Sequence, residues 1–494
     1  MTTGHEACPG ASSSAVFFYP STGAEFEGDT VFLPLSVLLP AASVEEAGIP
    51  AVTIDQRVER DWRERVADAA RARPVFFGIS AMTGPQIGWG LRAAKIVREV
   101  APDVRIVWGG THPTVLPEET LADDRVDAVV KGRGVKVAAD LATALLERNA
   151  EHVTGKVIEQ PIAERPSGCT LKQPALDYER INWRRYVTPV VGDTEGLAHV
   201  SSRGCPHRCS YCYNRSVNRS RWRGEPADDV LEDIERLCSL GIRAVLFFDD
   251  NFFANLPRVR KLAEGIVAKG LDIEIKADCR ADYLSKYDDD FLRLLRRAGF
   301  RVLYIGAESG SDRILRMVHK DVTVSQVLAA NRRLAKAGIL PHYSFMAGLP
   351  GETERDMRAT VRLMLRMKKE NPGALMSPIK GYTPYPGTEL FEKAVSMGFE
   401  PPRSLEAWSG FNWNGAPRPW LTKRLAKLVE KLTYATAGID TQLFETSGVA
   451  QNRFVSALYR FYAHVNRKRC ERRKIGPMPE LVFIKLARRL MATS

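Results

Sequence analysis

Eight cysteines in 494 residues are too few for a disulfide scaffold, and Cys8, Cys169, Cys238, Cys279 and Cys470 stand alone, read as core or surface residues. No run approaches the ~20 uninterrupted apolar residues that a spanning helix needs, so a membrane is not an expected partner. The opening MTTGHEACPGASSS lacks a basic region followed by an apolar stretch. It therefore does not read as a signal peptide, and a cytoplasmic protein is expected. Internal repeats and low-complexity segments are also missing.

The net charge of +12 suggests nucleic acid until it is mapped. Residues 451–494 hold eleven Lys and Arg against only Glu471 and Glu480, which assigns the excess to the tail. The chain is long enough for roughly two to four domains. From residue 16 to about 147, apolar runs (Val16–Tyr19, Ala51–Ile54, Val75–Ser80, Val104–Trp108, Asp127–Val130) alternate with helical patterns. That alternation predicts a parallel sheet covered on both faces, with ligands at the carboxyl ends of its strands. Residues 151–195 read as a linker with short helices. A second series gives strands at Leu197–Ser201, Ala244–Phe248, Ile273–Ala277, Val302–Ile305, His342–Met346 and Ser377–Tyr382. Six βα units predict an incomplete barrel with functional groups at the strand tops. Beyond residue 417 the pattern is helical and basic.

The one tight cysteine group is RGCPHRCSYCYN, with Cys205, Cys209 and Cys212 following the first strand of the second series. Structural zinc and an ordinary cubane cluster each take four protein ligands, so a trio leaves one metal position open for chemistry. A zinc reading would recruit His207 as the fourth ligand.

This Cys-x3-Cys-x-aromatic-Cys motif, with Tyr211 as the aromatic, resembles the radical S-adenosylmethionine (SAM) superfamily over about residues 197–400. The resemblance implies a 4Fe–4S cluster whose free iron binds SAM, one-electron cleavage to a 5′-deoxyadenosyl radical, and an electron donor such as flavodoxin or ferredoxin. It makes Asp249, Asp250 and Asn251 of FFDDNFF candidates for the SAM amino group. Arg280 is a candidate for its carboxylate, with a surface ion pair as the alternative, and Glu308 and Ser309 of YIGAESGSD for the ribose or methionine portion. Gly348 of MAGLPGET allows close backbone approach. The Tyr382–Thr383 backbone is the candidate for the adenine edge.

FFGISAMTGPQI and IVWGGTHPTVLPEETL resemble the cobalamin-binding domain that precedes such barrels in one large class. The resemblance places Ser80, Thr83 and Gly84, then Gly109 and Gly110, and also Gly132, along the cobalamin nucleotide tail. A Rossmann-like sheet with another ligand or none is the alternative. Where many relatives read Gly-Glu-Gly-Glu, this chain has Gly132, Arg133, Gly134 and Val135. There is no Asp-x-His-x-x-Gly, and His112 reads as a loop residue, so cobalt without a histidine ligand is expected.

The expected architecture is thus an α/β chain: a flavodoxin-like cobalamin-binding domain (1–150), the linker (151–195), a radical SAM partial (β/α)6 barrel (196–400) and a C-terminal basic helical domain (401–494). The leading reading is a cobalamin-dependent radical SAM C-methyltransferase acting on a small molecule. By family analogy it would serve secondary-metabolite or antibiotic biosynthesis. The same parts also fit cyclisation, rearrangement or oxidation, as in anaerobic magnesium-protoporphyrin ester cyclase. An RNA methylthiotransferase is disfavoured, because only Cys8 and Cys169 precede the motif, and so is a non-enzymatic cobalamin sensor. The substrate and any catalytic side chain stay unassigned. The tail would pack over the barrel opening, with Tyr459, Phe461 and Tyr462 as core, or touch an acidic partner or membrane surface.

Overall fold

The computed structural model describes residues 14–23, 31–147, 154–159, 171–191, 194–411, 416–440, 453–472, 476 and 478. Parallel strands buried on both faces read as apolar runs. All five runs of the first series form strands: β1 (Ala15–Tyr19), β2 (Ala51–Asp55), β3 (Phe77–Ser80), β4 (Ile106–Gly109) and β5 (Ala128–Lys131). With β6 (Lys156–Glu159) they form one parallel sheet in the order 2-1-3-4-5-6. Helices Leu35–Glu46 and Gly134–Leu146 bury apolar residues on one face. Helices Trp62–Arg71 and Pro85–Val100 cover the other. The strand order reverses at β1, between β2 and β3, so the crevice opens above the carboxyl ends there.

The second sheet contains β7 (Thr188–Val191), antiparallel to β8 (Thr194–His199). A small hairpin of β9 (Ser202–Arg203) and β10 (Arg223–Gly224) brackets the cysteine loop. The sheet then continues through β11 (Ala244–Phe247), β12 (Glu274–Cys279), β13 (Phe300–Glu308) and β14 (Leu340–Ala347) to β15 (Leu375–Met376). β16 (Lys380–Gly381) also pairs with β14. Helix Lys423–Thr436 covers this edge: Thr436 Oγ1 accepts the Ile379 N–H at 2.9 Å, and Asp440 just beyond it accepts that of Met376 at 2.8 Å.

Three expectations change. The segment read as a linker supplies β6 to the first sheet and β7 to the second. The strand expected at Ser377–Tyr382 is split into two short pieces flanking Pro378, which has no N–H for a ladder. Of the three tail aromatics, Phe461 faces solvent, 67% exposed. The parts also interlock: Phe399, Leu405, Trp408 and Phe411 share a core with Trp108 of the first sheet and with Ile87 and Leu91 of the helix Pro85–Val100 that covers it. Among the described residues no helix is long and apolar enough to cross a membrane. Cys8, Cys169, Arg473, Lys474, Lys485, Arg488 and Arg489 lie outside the described residues.

Candidate functional site

A cleft opens at the carboxyl ends of β1, β3, β4 and β5. Phe17, Val37, Phe76, Val107 and Leu141 make it mainly apolar, while Ser36, Ser80, Gly109, Gly110 and Gly132 add small polar or backbone surface. Ser80 Oγ donates to Ser36 Oγ at 2.9 Å. Gly110 adopts φ +101°, and an added Cβ would lie 2.7 Å from Ala81 O, so this turn requires glycine. At Gly132 a Cβ would meet nothing within 4 Å. A flat ligand with a long tail and an apolar base fits such a cradle.

Of the residues expected along that tail, Ser80, Gly109, Gly110 and Gly132 line the cleft; Thr83 and Gly84 do not. Thr83 Oγ1 instead pairs with His112 Nδ1 at 3.0 Å, and Gly84 lies against Phe411 O. His112, read from the sequence as a loop residue, is helical. It is fully buried in the short helix Thr111–Val115 beneath Trp408, and burial lowers its pKa to about 4. No histidine is among the described residues lining the cleft.

Across the cleft lie Arg203, Tyr213, Asn218 and Asp250 from the barrel. Asp250 also borders a second cavity, which contains Cys205, Cys209 and Cys212, so the two cavities adjoin. Asn214 fixes the loop by accepting the Cys205 N–H at 2.9 Å and donating to Cys205 O at 2.6 Å. Asn251 Nδ2 points at Cys205 Sγ (3.4 Å) and Arg280 Nη1 at Cys209 Sγ (3.9 Å), as donors to thiolate sulfur would. The three sulfurs do not close to within 4.8 Å of one another; among the described residues the group that does is His199, Glu225 and Asp233. The trio is therefore spread too widely for one ion, and His207 turns its Nε2 to the Tyr283 hydroxyl at 2.7 Å. That geometry suits a cluster rather than zinc.

The residues expected around SAM divide into two sets. Asp250, Asn251, Arg280 and Glu308 line the cysteine cavity. Arg280 is anchored by Asp282 at 2.9 Å and by Lys320 O at 2.6 Å. Asp249 turns away and serves the backbone: its carboxylate accepts from Ser201 N and Oγ, both at 2.8 Å, and from Ser202 Oγ. Ser309 is buried against Thr360 Oγ1. A Cβ on Gly348 would touch Val429, Arg418 and Leu421, so its close approach is to the C-terminal segment. The Tyr382 backbone is occupied at both ends, donating to Ala347 O (2.8 Å) and accepting from Arg418 Nε (2.7 Å), and neither Tyr382 nor Thr383 lines the cavity.

Sequence reasoning missed Lys320, Asp278, Cys279, Tyr304 and Ser344, which also line the cysteine cavity. Lys320 sits between His319 (φ 50°) and Asp321 (φ 54°), and Glu308 itself has φ 61°. Of these three, Glu308 lines the cavity and the other two flank Lys320, so strained backbone holds both members of this lining pair.

Comparison with known proteins follows this division. A model of the B12 binding domain matches residues 23–142, and one of the radical SAM superfamily matches residues 200–364. These domains imply cobalamin, a 4Fe–4S cluster and SAM. The chain is 27% identical over 404 residues to an uncharacterized methyltransferase of Pyrococcus horikoshii, covering 79% of this chain and 85% of the relative. It is 26% identical over 389 residues to the anaerobic magnesium-protoporphyrin IX monomethyl ester cyclase of Cereibacter sphaeroides, covering 76% and 62%. In fold it is similar to the radical SAM methyltransferase TsrM from Kitasatospora setae, solved with cobalamin and a 4Fe–4S cluster bound. The TM-score is 0.63 at 18% identity, covering 78% of this chain and 76% of that one.

Proposed function

We propose that this chain, which joins the B12 binding domain and the radical SAM domain of the cobalamin-dependent radical SAM enzymes, transfers a methyl group from SAM to a carbon of a small molecule. The observation that carries the reading is the adjacency of two cavities: a cleft with no lining histidine among the described residues, and a three-cysteine cavity that meets it at Asp250. When bound, the cluster supplies the electron that breaks the SAM sulfonium bond, and cobalamin supplies a methyl carrier.

The chain's own residues position these groups. Cys205, Cys209 and Cys212 would hold the cluster. Asn251, Arg280 and Glu308 would orient SAM, with Arg280 directed at its carboxylate. Ser80, Gly109, Gly110 and Gly132 would hold the nucleotide tail. Asp250 accepts from the Gly204 N–H at 2.7 Å and from the Tyr213 hydroxyl at 3.2 Å, which fixes the wall between the cavities. The likeness to the ester cyclase supports a second reading in which the same parts close a ring without methyl transfer. The test is whether the reduced, cluster-loaded protein forms S-adenosylhomocysteine from SAM only after cobalamin is added. Formation without cobalamin, or none with it, would remove methyl transfer as the reading.

A further inference from the structure

Beside the cleft, a third cavity lies where the outer edge of the first sheet meets the hairpin of β9 and β10. Lys131, Arg133, Arg203, Arg219, Arg221 and Arg223 line it, and Glu159 is the one acid that does. Glu159 is already engaged, 2.9 Å from Arg219 and 3.5 Å from Lys131. Arg133, Arg203, Arg221 and Arg223 make no side-chain hydrogen bond or ion pair with a described residue.

The hairpin sharpens the anomaly. Its antiparallel register sets Arg203 directly opposite Arg223, and like charges opposite one another destabilise a ladder. Arg133 faces the same pair: burial, then Arg203 and Arg223, lower its pKa to about 10, with Glu225 the carboxylate that draws it the other way. Guanidinium groups crowd in this manner where an anion offsets them, and their planar forks match phosphoryl oxygens two at a time.

The cavity is also connected. It shares Thr114, Gly132, Arg133, Arg203, Val217 and Asn218 with the cobalamin cleft. Lys131, Arg219, Arg221 and Arg223, by contrast, line this cavity and not the cleft.

Resting on the reading of the chain as an enzyme acting on a small molecule, we infer that this cavity binds a phosphoryl-type oxyanion carried by the substrate. The group would be anchored at the sheet edge while the carbon to be changed reaches past Asn218 and Arg203 toward Asp250.

The test is calorimetric titration of the cluster- and cobalamin-loaded protein with inorganic pyrophosphate. The inference expects one-to-one binding that weakens about tenfold or more in Arg221→Ala/Arg223→Ala, two residues outside the cobalamin cleft, with cobalamin and iron contents unchanged. Should the double variant fail to fold, Arg221→Ala alone, at an exposed position, carries the comparison. No binding by the wild type, or equal binding by the variant, overturns the inference. A parallel titration uses protein loaded with cobinamide, which lacks the nucleotide phosphate. Binding to that form but not to the cobalamin-loaded form would assign the cations to the cofactor's own phosphate and likewise overturn it. Because pyrophosphate is read without turnover, a chain that binds it but transfers no methyl group fails the methyltransferase reading alone.

Discussion

Lys320 Nζ lies 3.0 Å from Glu308 Oε1, and the Tyr211 hydroxyl donates to that same oxygen at 3.0 Å, so the aromatic of the cysteine motif is tied to an ion pair from the far side of the barrel. Both charges are buried, at 8% and 7% exposure. Removing one partner leaves the other uncompensated. Lys320→Met should cost the barrel domain about 3–5 kcal/mol in urea unfolding, and adding Glu308→Gln should recover part of it. Additive losses in the double variant would show that the pair is not coupled.

The cysteine cavity makes an analytical prediction. After anaerobic reconstitution the protein should hold about four irons, and the triple variant Cys205→Ala/Cys209→Ala/Cys212→Ala none. Iron and sulfide assays decide this. Retention of the cluster in the triple variant would refute the assignment.

The cleft predicts an electronic signature at cobalt. With no histidine among the described lining residues and an apolar slot for the base, the cob(II)alamin form should show no nitrogen superhyperfine splitting from an axial ligand in its electron paramagnetic resonance spectrum. A nitrogen-split spectrum would contradict the arrangement.

Asp278 supplies a pH dependence. Burial, and then the neighbouring charge of Asp249, push its pKa from 3.8 up to about 7. The folded state thus favours the neutral acid, and the destabilisation from ionising it is absent below pH ~4, grows as pH rises toward ~7 and stays constant above. Asp278→Asn should therefore raise the melting temperature at pH 8 and leave it little changed at pH 4. A stabilisation that shrinks with rising pH would have the wrong sign.

What the sequence disclosed follows the same physics. The interior strands were legible because burial on both faces makes them apolar runs, and the cysteine trio because ligand spacing is local. β6 escaped because an edge strand with Lys156 and Glu159 exposed at its ends carries no such run. Lys320 escaped because nothing within a few residues of it announces a partner at Glu308. Asp249 and Asp250 are adjacent in sequence, yet only the fold reveals that one braces Ser201 and Ser202 while the other faces the cavities.

Charge gave the clearest lesson. Counting along the chain assigned the positive excess to the tail, whereas folding draws Lys131, Arg133, Arg203, Arg219, Arg221 and Arg223 from two separated stretches into one cavity. No window of sequence contains that site.

The most direct measurement of the central claim is mass spectrometry of a metabolite pool incubated with the reduced, fully loaded protein and SAM labelled with deuterium in its methyl group. The account predicts a product that carries the CD3 group and appears in step with equal amounts of S-adenosylhomocysteine and 5′-deoxyadenosine. A product that forms with 5′-deoxyadenosine but without CD3 would contradict it.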